Sequence, residues 1–150
     1  MDRVAVFIHM IDVIQIIKQF YTTDSELYNL LLKHSSSVAN KALEIAEDAK
    51  LSVDKEFIYE GAMLHDIGIY KTYAPSIYCN GTEKYISHGV IGAEILRSLG
   101  LEAHARISER HTGSGLTATE IASARLPLPI RDMLPVTVEE RLICYADMQI

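Results

Sequence analysis

The chain is poor in cysteine: its 150 residues include only two, Cys79 and Cys144, which lie far apart without a CxxC spacing. A disulfide framework and a thiolate zinc site both require several cysteines at short, paired intervals. We expect neither feature in this chain, and a reducing cytoplasm is the setting that its composition favours.

Positive charge is scarce as well. The chain has 14 Lys and Arg residues against 20 Asp and Glu residues, which gives a formal net charge of −6, and its cations are scattered. Because a long nucleic acid is bound through many cationic contacts with phosphates, we do not expect one as a partner. A single nucleotide remains a candidate ligand, since a bound metal can supply positive charge locally.

Long hydrophobic runs are also lacking. The apolar segment VAVFIHMIDVIQII, residues 4–17, contains His9, Asp12 and Gln15 and is too short to span a bilayer. No small-residue cleavage site of a signal peptide follows it. We therefore expect no membrane partner, and we interpret residues 1–22 as an accessory amphipathic helix that packs on the domain.

What the chain does have is the composition of one globular domain. It is 49% hydrophobic and 23% charged, and a chain of this length buries about two thirds of its unfolded surface. No run of alternating β-branched residues is long enough to predict a sheet, and there are no repeats or linkers. The sequence predicts an all-α fold, with a single domain over residues 1–150 and its core in residues 23–150.

Helix boundaries follow from capping signals and apolar periodicity. Thr-x-x-Glu capping boxes at Thr23, Thr117 and Thr137 mark three helix starts. The pattern predicts helices over residues 24–49, from Ser52 or Asp54 to about residue 65, and over 87–99, 102–111 and 137–150. Residues 71–86 and 112–136 are predicted to be irregular, the second segment with one short helix.

Several ionisable residues fall on the apolar faces of these predicted helices. His34, for example, lies three residues after Leu31 and four before Val38. A single inward histidine is more often a hydrogen-bonded core residue, but burying many unpaired ionisable groups is costly. A shared metal removes that cost, and a nitrogen and carboxylate donor set suits Fe, Mn, Co, Ni or Zn. The candidate ligands are His34, His65, Asp66, His88, His111 and Asp147.

These residues lie in motifs that follow one another along residues 27–147: KHSSSVANKALEIA, GAMLHDIGIYKT, SHGVIGAEIL, ERHTGSGLT and YAD. In these motifs the sequence resembles the HD superfamily of metal-dependent phosphohydrolases, in its HDIG-containing branch of small stand-alone proteins. The resemblance implies an HD-domain helical bundle with the metal site among the central helices. Neither the Gly-Tyr-Pro signature of the cyclic-di-GMP phosphodiesterases nor the acidic helix motif of the alarmone hydrolases is present.

The resemblance also implies a ligand set. The first metal would be held by His34, His65, Asp66 and Asp147. His88 and His111 match the ligands of a second metal, with Asp66 as the bridge, so one or two divalent ions are expected and two are favoured. The resemblance also makes magnesium a candidate metal.

The implied activity is hydrolysis of a phosphomonoester or a nucleotide-type phosphate ester by a metal-activated water, with Asp66 and Lys71 as catalytic residues. Lys71 and Arg110 are candidate cations for the substrate phosphate, and for each the alternative is a solvated surface charge. Thr112 and Gly113 are candidates for substrate contacts through the backbone, although a plain helix-ending turn explains them equally well.

Other interpretations stay open at this point. Tyr70, Tyr73, Tyr78 and Tyr85 bracket the first irregular segment, where they either stack on a nucleobase or serve as ordinary packing. A non-catalytic HD module that senses a nucleotide or metal is the alternative function, and a purely structural helical domain ranks last. The chain ends three residues after Asp147, so a second copy of the chain is a candidate partner that would support the last turn.

Overall fold

The computed structural model describes residues 11–150, and the part of the N-terminal prediction that precedes Ile11 lies outside them. Within this range the architecture is helical, as the composition and spacing predict. The helices are α1 (Val13–Lys18), α2 (Glu26–Asp48), α3 (Lys55–Leu64), α4 (His88–Ser98), α5 (Glu102–Glu109), α6 (Ala118–Ser123) and α7 (Val138–Met148). No helix within residues 11–150 is long and apolar enough to cross a membrane.

The helix starts test the predicted caps. The side chain of Asp54 accepts a hydrogen bond from the Phe57 amide and caps α3. At α2 the predicted capping box at Thr23 is wrong, because Ser25 is the residue that precedes the first helical turn. Its hydroxyl oxygen accepts from the amide of Tyr28 at 3.1 Å, which leaves no role at the helix start for Thr23.

The capping boxes predicted at Thr117 and Thr137 have different outcomes. At α6 the box is complete, with reciprocal bonds between Thr117 and Glu120, so that prediction is confirmed. At α7 the hydroxyl of Thr137 accepts from the Glu140 amide, but the Glu140 carboxylate accepts from the Val136 amide. Only half of the predicted box therefore forms there.

Two packed regions make up most of the core. One joins α2, α3, α5 and α7 through buried residues such as Val38, Ala62, Ile107 and Ile143. The other joins α1, the first half of α2 and α4, with Ile17 and Leu31 fully buried in it. The C-terminal end of α3 lies where these two regions meet.

A glycine allows the chain after α3 to lie close against α4. Residues Ile67–Lys71 form a 3₁₀ turn, and a Cβ atom at Gly68 would clash with the carbonyl oxygen of His88 and the amide nitrogen of Gly92. Only a residue without a side chain permits this approach. The turn therefore sets the spacing between His65-Asp66 and the first residue of α4.

The segment from residue 71 to 86 contains a small hairpin that the sequence pattern does not predict. Strands β1 (Tyr73–Ala74) and β2 (Cys79–Asn80) pair antiparallel, with Tyr73 opposite Asn80. With two residues in each strand, no alternating run is long enough to be recognised. The 3₁₀ turn Pro75–Ile77 joins the strands, and a further 3₁₀ turn, Tyr85–Ser87, leads into α4.

The segment from residue 112 to 136 holds α6, as predicted, and packs a small core of its own. Ile121, Leu128 and Met133 are buried together. Ile86, at the end of the loop formed by residues 71–86, packs against them. A pair of backbone hydrogen bonds between Leu116 and Met133 closes the segment on itself. The two loops thus contact each other beside the N-terminal end of α4.

Candidate metal centre

Five segments of the fold bring the six candidate ligands together. His34 lies in the first half of α2, one turn after the buried Leu31, and His65 is the residue that ends α3. His88 opens α4. The remaining ligands are Asp66, directly after α3, His111, two residues after α5, and Asp147, in the last turn of α7.

The first group of donors consists of His34, His65, Asp66 and Asp147, whose ligand atoms lie within 4.8 Å of one another. The Nε2 atom of His34 is 2.9 Å from Oδ1 of Asp147 and 3.3 Å from Oδ2 of Asp66. The Nε2 atom of His65 is 3.2 Å from the same Asp66 oxygen. Such separations are those of neighbouring ligands around one cation, since metal bonds to nitrogen and oxygen are about 2.0–2.2 Å long.

The second group consists of Asp66, His88 and His111. Here the Nε2 atoms of the two histidines are 3.0 Å apart. The Oδ1 atom of Asp66 is 3.1 Å from Nε2 of His111 and 3.4 Å from Nε2 of His88. Asp66 therefore turns one oxygen toward each group.

Backbone carbonyls determine which nitrogen of each ring faces the centre. The Nδ1 atoms of His65, His88 and His111 lie 2.5, 2.6 and 2.6 Å from the carbonyl oxygens three residues earlier. A carbonyl can only accept, so each Nδ1 carries the proton and donates it. In the neutral rings, each Nε2 therefore presents a lone pair to the centre.

Two observations show that these donors fit a metal. The Nε2 atoms of His88 and His111 lie 3.0 Å apart, and with both Nδ1 atoms protonated two neutral rings would place two lone pairs close together unless a cation lies beside both. In addition, Nε2 of His65 and Oδ1 of Asp66 are buried and have no hydrogen-bond partner among residues 11–150. Buried polar atoms without partners are rare and costly, and a bound metal would satisfy both of them.

The electrostatics of the centre keep its carboxylates ionised. Burial acts to raise the pKa of Asp66, but the neighbouring His65, His111 and His34 outweigh it and hold that pKa well below the usual range. The pKa of Asp147 is lowered in the same way by His34 and His65. Conversely, hydrogen bonds to Asp147 and Asp66 raise the pKa of His34 to about 9.

The pattern of the HD domain family matches residues 31–148 of the chain. The chain belongs to the HD domain family. This membership agrees with the helical fold and places the chain in a superfamily of metal-dependent hydrolases. All six candidate ligands of the HD domain lie within the matched residues.

Curated relatives extend the comparison. An uncharacterized protein of Methanocaldococcus jannaschii is 40% identical over 121 residues, which cover 78% of this chain and 64% of that protein. The tRNA (cytidine(56)-2′-O)-methyltransferase of Picrophilus torridus is 35% identical over 120 residues, 79% of this chain but 31% of that protein. Its counterpart of Thermoplasma volcanium is 34% identical over 118 residues, 78% of this chain and 30% of that protein.

The chain thus spans less than two thirds of the length of these curated relatives. It covers about 30% of the length of each of the two methyltransferases. No solved structure matches the chain.

Two cavities open beside the donors. A cavity of about 360 Å³ is lined by all candidate ligands except His65, together with Tyr85, Ile86, Thr112 and Gly113; we call it the polar cavity. A second, of about 300 Å³, is lined by Leu30, Leu31, Ile69, Ile77 and Tyr85 next to His34 and Asp66; we call it the apolar cavity. Thr112 and Gly113 thus line the polar cavity, and their contact with a substrate stays a prediction.

Neither Lys71 nor Arg110 lines either cavity, and their contact with a substrate stays a prediction. Lys71 is exposed and lines a surface groove with Gly81 and Glu83, not either of the two cavities. Arg110 is held by an ion pair, with Nη1 2.9 Å from Oε1 of the buried Glu140.

Sequence reasoning missed one residue that supports the centre. Ser108 is fully buried, and its hydroxyl lies 3.0 Å from the carbonyl oxygen of His65 and 2.9 Å from that of Gly89. It thereby links α5 to the end of α3 and to the start of α4. The available signal was a serine next to the apolar Ile107 on a helix that leads to a candidate ligand.

Proposed function

We propose that the chain is a metal-dependent phosphohydrolase that cleaves a phosphomonoester or a nucleotide-type phosphate ester. The observation that carries this proposal is Asp66, which turns one carboxylate oxygen toward each of two groups of donors. His34, His65, Asp66 and Asp147 would hold one metal, and Asp66, His88 and His111 a second. Bound divalent metals acidify water and neutralise phosphate charge.

The chain's own residues fix the geometry for this chemistry. The carbonyl oxygens that accept from Nδ1 of His65, His88 and His111 hold each ring in one orientation. Ordering the donors in advance lowers the cost of assembling the site when substrate binds. Asp66 is only 7% exposed, so water competes little for its oxygens.

The polar cavity is where the phosphate would enter. Thr112 and Gly113 line it next to His111. Gly113 has a positive φ of 56°, and no atom lies within 4 Å of the position of an added Cβ. An incoming phosphate could therefore approach the backbone at this turn without meeting a side chain.

A nucleotide-like substrate has indirect support. Two relatives that share this segment are named as enzymes that act on tRNA. Since the shared segment is less than a third of each of them, we do not extend methyl transfer to this chain. The relation to RNA nevertheless makes nucleoside monophosphates the first class to test.

The test is a hydrolysis panel with the purified chain and added Mn²⁺, Fe²⁺, Co²⁺ or Mg²⁺. It includes nucleoside 2′-, 3′- and 5′-monophosphates, aryl phosphomonoesters and a cyclic phosphodiester. We expect metal-dependent release of phosphate or alcohol from at least one class, and its loss on chelation and in Asp66→Ala. Asp48→Ala, at the exposed end of α2, is the matched control and should keep full activity.

A folded chain that stays inert toward the whole panel with each metal would refute the phosphohydrolase proposal. Tight binding of a nucleotide without turnover would instead support the alternative of a non-catalytic sensor. Calorimetric titration with the same monophosphates distinguishes these two outcomes.

A further inference from the structure

The apolar cavity is continuous with the candidate metal centre. It shares His34, Asp66 and Tyr85 with the polar cavity, and its other lining residues are all aliphatic: Leu30, Leu31, Ile69 and Ile77. A molecule whose phosphate lies at the donors would therefore have this cavity beside it for the rest of its structure. An aliphatic lining favours an apolar group there, because burying a polar group without partners is costly.

The charges around the two cavities limit how many phosphates the substrate carries. No Lys or Arg among residues 11–150 lines either cavity. The arginines in the neighbouring elements are committed elsewhere: Arg110 to Glu140, and Arg97 and Arg131 to Glu109. Beyond the metals, nothing in this part of the chain would neutralise a second or third phosphate, so a monophosphate suits the site better than a polyphosphate.

Tyr85 stands at the junction of the two cavities. The centroids of the Tyr85 and His88 rings lie 4.5 Å apart, and the two ring planes make an angle of 30°. Of the Tyr85 residue, 41% is exposed. The other tyrosines of this region differ: Tyr70 packs on Phe20 and Tyr21, and Tyr73 and Tyr78 line neither cavity. Tyr85 is therefore the aromatic residue placed to contact a flat group that enters the apolar cavity.

We propose that the apolar cavity is the leaving-group subsite, and that it selects monophosphate esters of a flat, apolar alcohol such as an aryl alcohol over those of small polar alcohols and over polyphosphates. This inference rests on the proposed function, because it assumes that the neighbouring donors act on a phosphate. It adds the specificity residues Leu30, Ile77 and Tyr85.

The experiment compares kcat/KM for 1-naphthyl phosphate and for glycerol 3-phosphate in wild type, Ile77→Ala and Leu30→Ala. Both residues are half-buried, and each truncation removes methylene or methyl groups from the cavity wall. We expect kcat/KM for 1-naphthyl phosphate to fall about five- to tenfold, and that for glycerol 3-phosphate by less than about twofold. Comparing each substrate with itself across variants cancels the different intrinsic reactivities of the two esters.

The matched control is Ile14→Ala in α1. Ile14 is also half-buried and packs on the same core, but it lines neither cavity. It should leave the kcat/KM of both substrates within about twofold of wild type. Circular dichroism of all variants shows whether they fold, and having two cavity variants keeps the test decisive if one of them does not.

Two further substrates test whether the subsite also accepts a nucleoside and whether a single phosphate is preferred. A nucleoside 5′-monophosphate that shows the same selective loss in Ile77→Ala identifies a nucleoside as an accepted leaving group. Equal losses for 1-naphthyl phosphate and glycerol 3-phosphate, or hydrolysis of the nucleoside triphosphate as fast as that of the monophosphate, would overturn the inference while the proposed function stands. No hydrolysis of any ester would refute the proposed function itself.

Discussion

Two buried polar clusters lie next to each other in this fold, and only one of them is complete. At the end of α5 the carboxylate of Glu109 accepts from Arg97 at 2.9 and 3.0 Å and from Arg131 at 2.7 Å. Two residues later His111 enters the candidate metal centre, where Nε2 of His65 and Oδ1 of Asp66 lack partners. Both clusters are built on charged or ionisable side chains, but they differ in what completes them.

The difference separates a structural role from a functional one. The Glu109 cluster satisfies its own carboxylate with arginines and ties α4 and the second loop to the end of α5. The centre around Asp66 instead leaves two buried atoms, Nε2 of His65 and Oδ1 of Asp66, without partners, and a bound ligand would offset the cost of burying them. Breaking the first cluster should therefore cost stability, and breaking the second should cost activity.

The largest effect is expected for Asp66→Ala, which removes the oxygens shared by both donor groups. Hydrolysis of the best substrate in the panel should fall to the background of the assay, while the far-UV circular dichroism spectrum stays that of wild type. Steady-state kinetics and the spectrum measure the two halves of this prediction. Residual metal-dependent turnover above one tenth of wild type would show that Asp66 is not shared between the metals.

Chelation should produce the next largest effect. A ligand present at one hundred times its dissociation constant stabilises the native state by about 2.7 kcal/mol, which corresponds to a rise of roughly 5–10 °C in Tm for a chain of this size. Differential scanning calorimetry with added Mn²⁺ and with EDTA measures the shift. It should vanish in Asp66→Ala, and an equal shift in that variant would assign the stabilisation to another site.

Glu109→Gln should have the opposite effect to Asp66→Ala: it should lower stability and leave activity nearly unchanged. We expect a loss of about 1–2 kcal/mol in the free energy of unfolding, because Arg97 and Arg131 keep some access to water when their partner is neutralised. The kcat/KM should stay within about twofold of wild type. Urea denaturation and steady-state kinetics test the two statements, and a stability unchanged by the substitution would refute the first.

The same carboxylate gives a pH dependence with a definite sign. Burial acts to raise the pKa of Glu109, but Arg97 and Arg131 outweigh it and lower that pKa below its usual value. The stabilisation is therefore complete above the unfolded-state pKa of about 4.3 and is lost as the pH falls through the lower folded-state value. The stability difference between wild type and Glu109→Gln should narrow in acid, and a difference that widens there would contradict the assignment.

The smallest effect is expected for Lys71→Ala. Because Lys71 is exposed and lines a separate groove, its removal should change kcat/KM by less than about twofold. Steady-state kinetics with the best substrate of the panel measures this change. A loss of more than about tenfold would return Lys71 to the substrate site.

Much of the fold could be predicted from the sequence, because it depends on local patterns. His34 was placed on the inner face of α2 by its spacing from Leu31 and Val38, and five helices end close to their predicted limits. The predicted cap at Thr23 failed because the helix begins after Ser25, whose hydroxyl accepts from the Tyr28 amide. The hairpin around Pro75 was missed because two-residue strands have no period to detect.

The surroundings of the candidate site were less predictable, since they depend on contacts between distant segments. The partnership of Arg110 with Glu140 joins residues 30 positions apart, and nothing local indicates it. The link from Ser108 to His65 and Gly89 likewise appears only when α3, α4 and α5 are packed. Tyr85 could be singled out from the other tyrosines only once the two cavities were located.

The most direct test of the central claim is the metal content of the chain after reconstitution with Mn²⁺ and desalting, measured by inductively coupled plasma mass spectrometry. Two donor groups that share Asp66 predict about two metals per chain in wild type, about one in His88→Ala and fewer than one in Asp66→Ala. A folded wild-type chain that retains no metal, or a content unchanged in Asp66→Ala, would contradict the account.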